Sequence, residues 1–298
     1  MGPHRSGFVT LLGKPNVGKS TLLNRLVATK ISITSNKPNT TRHRILGIRT
    51  GEQSQIVFVD TPGVHSRQKK AVNRIINKTA RQSIEGVDVL ALMISAKGWQ
   101  NEDQYALNLV KDVKVPIVLV INKIDMVKPK ERLLPLIAEC RDIGEFAEIV
   151  PVSARTGHNQ EVLVKALEQM LPPGPTCFPA GQVTDRGDQF MATELVREQV
   201  FRQLGDELPY ATAVRLQAYD ARDDVVHIQA DIWVERQSHK GIVIGEQGQR
   251  LKKIGTLARQ GIEGYLNRKV NLQLWVKVRK DWADNRIDLH NLGYDGYS

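Results

Sequence analysis

Gly13-Lys14-Pro15-Asn16-Val17-Gly18-Lys19-Ser20 follows an apolar run at 8–12 and opens a stretch with helical spacing at 19–27. A glycine-rich turn between a strand and a helix, closing on Gly-Lys-Ser, suits a phosphate group. The glycines let the backbone curl so that its N–H groups face the anion, and the helix N-terminus adds its positive end. Lys19 is placed to reach β- and γ-phosphate oxygens, and the Ser20 hydroxyl to ligate magnesium. The turn demands strand, loop and helix in that order, and the flanking chain keeps the same rhythm.

Outward from this turn, apolar runs at 55–59, 87–94, 115–121 and 148–152 alternate with amphipathic stretches at 71–83, 102–111 and 161–170. Alternation of this kind predicts an α/β domain with a mostly parallel sheet, whose ligands bind at the turns after strands. The rhythm breaks at Leu171-Pro172-Pro173-Gly174-Pro175, which can neither continue a helix nor enter a sheet interior. The expected division is a nucleotide-binding domain at 1–171, a linker at 172–187 and a second domain at 188–298. Within the last, spacing predicts a helix at 190–204, neighbouring strands at 211–219 and 225–234, and a short apolar turn or helix at 240–244. A helix at 250–266 and a strand at 270–278 follow.

The base is named by a second loop. Asn122-Lys123-Ile124-Asp125 follows the buried run 115–121. The Asp125 carboxylate can accept from N1–H and the 2-amino group of guanine, a donor pair adenine lacks; a site built on such bonds rejects analogues by factors up to about 10⁴–10⁵. Ser153-Ala154-Arg155 follows another strand and is expected to complete the base pocket. Asp60-Thr61-Pro62-Gly63 ends the run 55–59, with Asp60 placed to hold magnesium through water and Gly63 to turn its N–H toward a γ-phosphate. Asn39-Thr40-Thr41-Arg42-His43 lies between. A threonine there can close on the metal when the γ-phosphate is present; Thr41 is preferred to Thr40, and the choice stays open.

These motifs, in this order, resemble the translation-factor class of P-loop GTPases over roughly the first 170 residues. The phrases at 15–24 and 31–35, with Thr40-Thr41-Arg42-His43-Arg44, resemble one family within it, Era, the ribosome-assembly GTPases. The position where Ras-like switches carry a water-orienting glutamine holds Val64, which makes no hydrogen bond. Slow turnover without a partner is therefore expected. Asn16 has two readings: it helps hold a monovalent cation such as potassium beside the phosphates, or it only shapes the loop. Asn16, Thr41 and Gly63 are the candidates for assisting hydrolysis.

Val243-Ile244-Gly245-Glu246-Gln247-Gly248 contains a G-x-x-G between helix-like segments. Its setting, helix–strand–strand–helix–GxxG–helix–strand, is similar to a type II KH domain, an α+β fold. In that fold the loop lets a nucleic-acid backbone approach and clamps about four nucleotides. Arg250, Lys252 and Lys253 follow at once and can meet phosphates. On the last strand Val270, Leu272, Leu274, Val276 and Val278 share one face. Asn271, Gln273, Trp275, Lys277 and Arg279 share the other, either a nucleic-acid surface or a solvated outer face. Lys280-Asp281-Trp282-Ala283-Asp284 and Leu292-Gly293-Tyr294 extend the Era resemblance across nearly the whole chain. That resemblance implies binding to the 3′ end of 16S ribosomal RNA in small-subunit assembly. It also implies peripheral attachment to the inner face of the cell membrane; a cytoplasmic location fits the cysteine usage, and a monomer is expected.

Bulk properties agree. The chain has 298 residues, enough for two cores, and a formal charge of +10, which favours polyanionic partners. Its two cysteines, Cys140 and Cys177, form no C-x-x-C pair and predict no disulfide framework. No secretory leader and no run of about 20 apolar residues is visible. The competing reading, an enzyme spending GTP on a second substrate, finds no acid–base pair, nucleophile or metal cluster in the C-terminal half. The complete phosphate and guanine motifs argue against a third, an RNA-binding protein with a vestigial nucleotide fold.

Overall fold

The computed structural model describes residues 3–63, 71–205, 207–222 and 224–294. They form two compact units. The first comprises 3–32, 41–63 and 76–185 and holds a six-stranded sheet. Its strands are β1 (Arg5–Leu12), β2 (Ile45–Thr50), β3 (Ser54–Asp60), β4 (Val89–Ser95), β5 (Ile117–Asn122) and β6 (Glu148–Pro151). The order is β2-β3-β1-β4-β5-β6; β2 runs antiparallel to β3 and every other pairing is parallel. Helices α1 (Lys19–Leu26), α3 (Asn101–Asn108), α4 (Leu133–Ile143) and α5 (Gln160–Met170) belong to this unit, and α2 spans Ala71–Gln82.

Continuous apolar runs become central strands because parallel strands are covered on both faces. All seven residues of β3 and all seven of β4 are buried. Register then places the site. Leu11 pairs with Asp60, Leu12 with Leu92, and Ser95 with Asn122. The loops leaving β1, β3 and β5 therefore emerge at one edge of the sheet.

Two elements are not singled out by sequence pattern. Strand β2, Ile-Leu-Gly-Ile-Arg-Thr, lacks clean alternation because four of its residues are buried. Helix α4 carries Pro135 in its first turn, where a proline withholds no internal hydrogen bond. Residues 172–185 group with the first unit. Ser6 N donates to the Pro172 carbonyl at 3.2 Å, Ile48 N to that of Val183 at 2.9 Å, and Cys177 N and Phe178 N to Gln55 Oε1. Both cysteines are free, Cys140 buried and Cys177 exposed.

The second unit comprises 33–40, 71–75 and 186–294. It contains α6 (Asp188–Gln203), β7 (Thr212–Asp220), β8 (Val225–Val234), α7 (Gln237–Ile244), α8 (Gln249–Leu266), β9 (Lys269–Val278) and α9 (Arg286–Asn291). Strand β8 is central, antiparallel to β7 and parallel to β9. Val226, Ile228, Ala230, Ile232 and Val234 of β8 form a core with Leu195, Val196 and Val200 of α6 and Ile254, Ala258 and Ile262 of α8. Val278 departs from the alternation read on β9: it is 36% exposed, at the strand's end. Within this unit Thr34 N donates to Glu198 Oε1 at 3.0 Å and Ala71 N to Asp284 Oδ1 at 2.8 Å.

Candidate functional site

The loop after β1 is held from several sides. Asn122, at the end of β5, is 2% exposed, and its side-chain amide works in both directions. Nδ2 donates to the Val17 carbonyl at 2.9 Å, while Oδ1 accepts from Lys123 N at 2.7 Å and Ala154 N at 2.9 Å. Lys123 Nζ donates to the Asn16 carbonyl at 2.6 Å. Gly18 makes this approach possible. A Cβ there would lie 2.3 Å from Asn122 Nδ2, and its φ of 108° disfavours any L side chain.

Lys19 opens α1 and is nearly buried. Its Nζ donates to the carbonyls of Gly13 at 2.8 Å and Lys14 at 3.0 Å. Burial lowers its pKa to about 8, against the opposing attraction of Asp60. Burial in turn raises the Asp60 carboxyl above the ordinary carboxylate range, while Lys19, Ser20 and Ser32 pull it back. An oxygen cluster surrounds Asp60. Ser20 Oγ donates to Asp60 Oδ2 at 2.8 Å and lies 2.8 Å from Thr41 Oγ1; Ser32 Oγ donates to the same Oδ2 at 3.0 Å. Asp60 Oδ1 is buried with no hydrogen-bond partner among the described residues. Thr40 turns elsewhere, donating to the Lys37 carbonyl at 2.8 Å and lying 2.6 Å from Ser35 Oγ.

The loops after β5 and β6, expected from the sequence to meet the base, are tied to each other. Ser153 Oγ donates to Asp125 Oδ1 at 2.7 Å, and Arg155 Nη2 stands 2.6 Å from Asp125 Oδ2. The Ser153 hydrogen bond, joined by Arg155, holds the Asp125 carboxyl below its ordinary value, so it is an acceptor at neutral pH. Ile124 and Ala154 are buried and shape the loops. Thr61 Oγ1 donates to the Leu11 carbonyl at 2.9 Å, fixing the turn before Pro62. Gly63 backs onto the phosphate loop: a Cβ there would lie 2.8 Å from Pro15 N. Val64 lies outside the described residues.

Sequence reasoning missed Ser32 and Asn24. Asn24 Oδ1 accepts from Ile31 N and Ser32 N, both at 2.9 Å, which presents Ser32 to Asp60. It also missed Gln100 and Asp103 of the segment opening α3, which contact Lys14. None of the four belongs to a sequence pattern that assigns it a role at this site.

In the second unit Gly245 ends α7 and Gly248 precedes α8. A Cβ on Gly245 would lie 2.7 Å from Arg250 Cβ, and both glycines have positive φ, 75° and 77°. Glu246 and Gln247 are exposed at the loop tip, as are Lys252 and Lys253 one turn into α8. Arg250 points its guanidinium back to the Ile242 carbonyl.

The family described as 50S ribosome-binding GTPase matches residues 8–123, and the KH domain family matches 207–283. A protein of Xylella fastidiosa named GTPase Era is 52% identical over 293 residues, covering 98% of each chain. One of Coxiella burnetii with the same name is 46% identical over 295 residues, 99% of this chain and 100% of that one. A crystal structure of Era in complex with MgGDPNP and nucleotides 1506–1542 of 16S ribosomal RNA matches with a TM-score of 0.94 at 41% identity, over 98% of this chain and 99% of the other. A variant of Aquifex aeolicus Era bound to GDP·AlF4− matches with a TM-score of 0.94 at 41% identity, over 97% and 99%.

The low Lys19 pKa has a measurable consequence. A phosphate brought to Lys19 favours its charged form, so the complex keeps a proton that the free protein loses near pH 8. Affinity for GDP should hold from about pH 7 to about pH 8 and fall above that by up to about tenfold per pH unit. Calorimetric titration in buffers of differing ionisation enthalpy should show net proton uptake above pH 8. An affinity flat to about pH 9 counts against the assignment.

Proposed function

This chain belongs to the Era family of GTPases, and on that premise we propose that it is a GTP-hydrolysing switch that binds the 3′ end of 16S ribosomal RNA during small-subunit assembly. The observation that carries the RNA target is the match over 98% of the chain to a relative solved with MgGDPNP and nucleotides 1506–1542 of that RNA. The site residues are assigned on geometry. Lys19 and the backbone N–H groups of 13–20 meet the phosphates, and Asn122, Asp125, Ser153 and Ala154 take the guanine. Ser20, Thr41 and Asp60 would hold Mg2+; the buried Oδ1 of Asp60, without a hydrogen-bond partner among the described residues and near two hydroxyls, suits a hard cation that prefers oxygen ligands. When bound, that ion neutralises charge on the β- and γ-phosphate oxygens.

In the second unit, Gly245–Gly248 with Arg250, Lys252 and Lys253 meets the RNA backbone. Residues 33–40 hydrogen-bond to α6 through Thr34 and Glu198, while Thr41 bonds Ser20. This supports a reading in which γ-phosphate-dependent ordering of 33–41 alters RNA binding. Peripheral attachment to the inner membrane face is part of the same reading, supported by the +10 charge. Among the described residues no helix is long and apolar enough to cross a membrane.

Three measurements test these assignments. Asp125→Asn should weaken GTP binding by at least about 100-fold and shift preference toward xanthine nucleotides; an unchanged preference removes the guanine reading. Gly245→Asp with Gly248→Asp should weaken binding to a 16S 3′-end fragment by at least about tenfold and leave GDP affinity within about twofold, read by filter binding and fluorescence. Basal turnover should be slow and about threefold or more faster in potassium than in sodium if Asn16 helps hold a cation; equal rates leave Asn16 a loop-shaping residue.

A further inference from the structure

The phosphate loop is also gripped from the start of α3. Lys14 Nζ lies 2.8 Å from Asp103 Oδ2 and donates to Gln100 Oε1 at 2.7 Å. The Asp103 side chain is fully buried and that of Lys14 only 12% exposed. The same Asp103 oxygen accepts from Gln100 N at 3.0 Å, closing a capping box around the first turn of α3. The Lys14 carbonyl, at the other end of the residue, accepts from Lys19 Nζ. A chain of polar contacts thus runs from the α3 N-terminus through Lys14 to the lysine assigned to the phosphates.

We propose that Asp103 is a positioning residue for nucleotide binding: by holding Lys14 it fixes the first turn of the phosphate loop and the orientation of its backbone groups. The proposal rests on the nucleotide reading above. Capping alone would not require a buried acid, since capping boxes form at exposed helix ends. A carboxylate with no exposure persists when a cation meets it, because removing either partner leaves a buried charge. Lys14 meets it in a geometry that turns the ammonium toward α3. With that tether released, residues 13–16 gain conformations in the free protein, and binding must then order them; affinity falls although no phosphate contact is lost. The Lys123 clamp on the Asn16 carbonyl and the Asn122 clamp on Val17 secure the later part of the loop, while its first turn is held by Lys19 Nζ on the Gly13 and Lys14 carbonyls and by the Lys14 side chain on α3.

The test uses the full chain and a fluorescent GDP analogue, with association and dissociation followed by stopped flow and melting recorded alongside. Asp103→Asn and Lys14→Met should each weaken GDP binding about tenfold, mainly through faster release. Preference for guanine over xanthine should stay unchanged, because the base-reading loops are untouched. The double variant should bind no worse than the weaker single one, as expected of two residues acting as a unit. Lys14→Arg, which keeps the charge, should retain affinity within about twofold. If both single variants bind GDP normally, whatever their melting temperatures, or if their losses add in the double variant, Asp103 serves only to cap α3 and the proposal is wrong. Should Asp103→Asn not fold, Lys14→Met and Lys14→Arg carry the test. Failure of the unaltered protein to bind GDP would instead overturn the nucleotide reading.

Discussion

One buried amide ties the candidate nucleotide site together. Asn122 donates to the loop after β1 and accepts from the loops after β5 and β6, so three separate strands are referenced to one side chain. Such a group is unfavourable to bury unless every polar atom is matched, and here both ends are. The arrangement forces its neighbours. Gly18 must lack a side chain because Asn122 Nδ2 occupies that space. Ser153 follows from it too: with Ala154 N fixed on Asn122, its hydroxyl is set to donate to Asp125. The Asp125 carboxylate, proposed to select the base, is thereby tied to the loop after β1, proposed to hold the phosphates.

Much of this was legible in the residues. Glycines at fixed spacing, a lysine and a serine after a strand imply a phosphate cradle because few alternatives satisfy the same backbone geometry. The buried runs 55–59 and 87–94 read as central strands, and do so in the structure. The parts that escaped have physical reasons. Strand β2 has neither a clean period of two nor a long apolar run, and the proline in α4 resembles a helix breaker until its position in the first turn is known. Ser32, Gln100 and Asp103 act through contacts between segments distant in sequence, which no local spacing encodes, and Asn24 acts through an irregular loop, where no period marks a side chain.

The second unit makes the same point. Gly245 and Gly248 are needed for different reasons, one for close packing against Arg250 and both for their positive φ. A four-residue pattern cannot separate these. The alternation on β9 gave the buried face correctly at Val270 and Val276, and failed at Val278, where the strand ends beyond the cover of the core.

Residues 172–185 have a further consequence. Strand β2 lies at the edge of the six-stranded sheet, where unpaired backbone groups invite pairing with another chain. Val183 and Thr184 meet Ile48 and Gly47 along that edge, and Asp185 accepts from Leu46 N at 2.9 Å. The proline-rich connector, which reads as a spacer, thus acts as a guard strip against intermolecular strand addition. A fragment cut at residue 171 would keep the phosphate loop yet bare this edge. For solubility, the first unit reaches at least to Asp185.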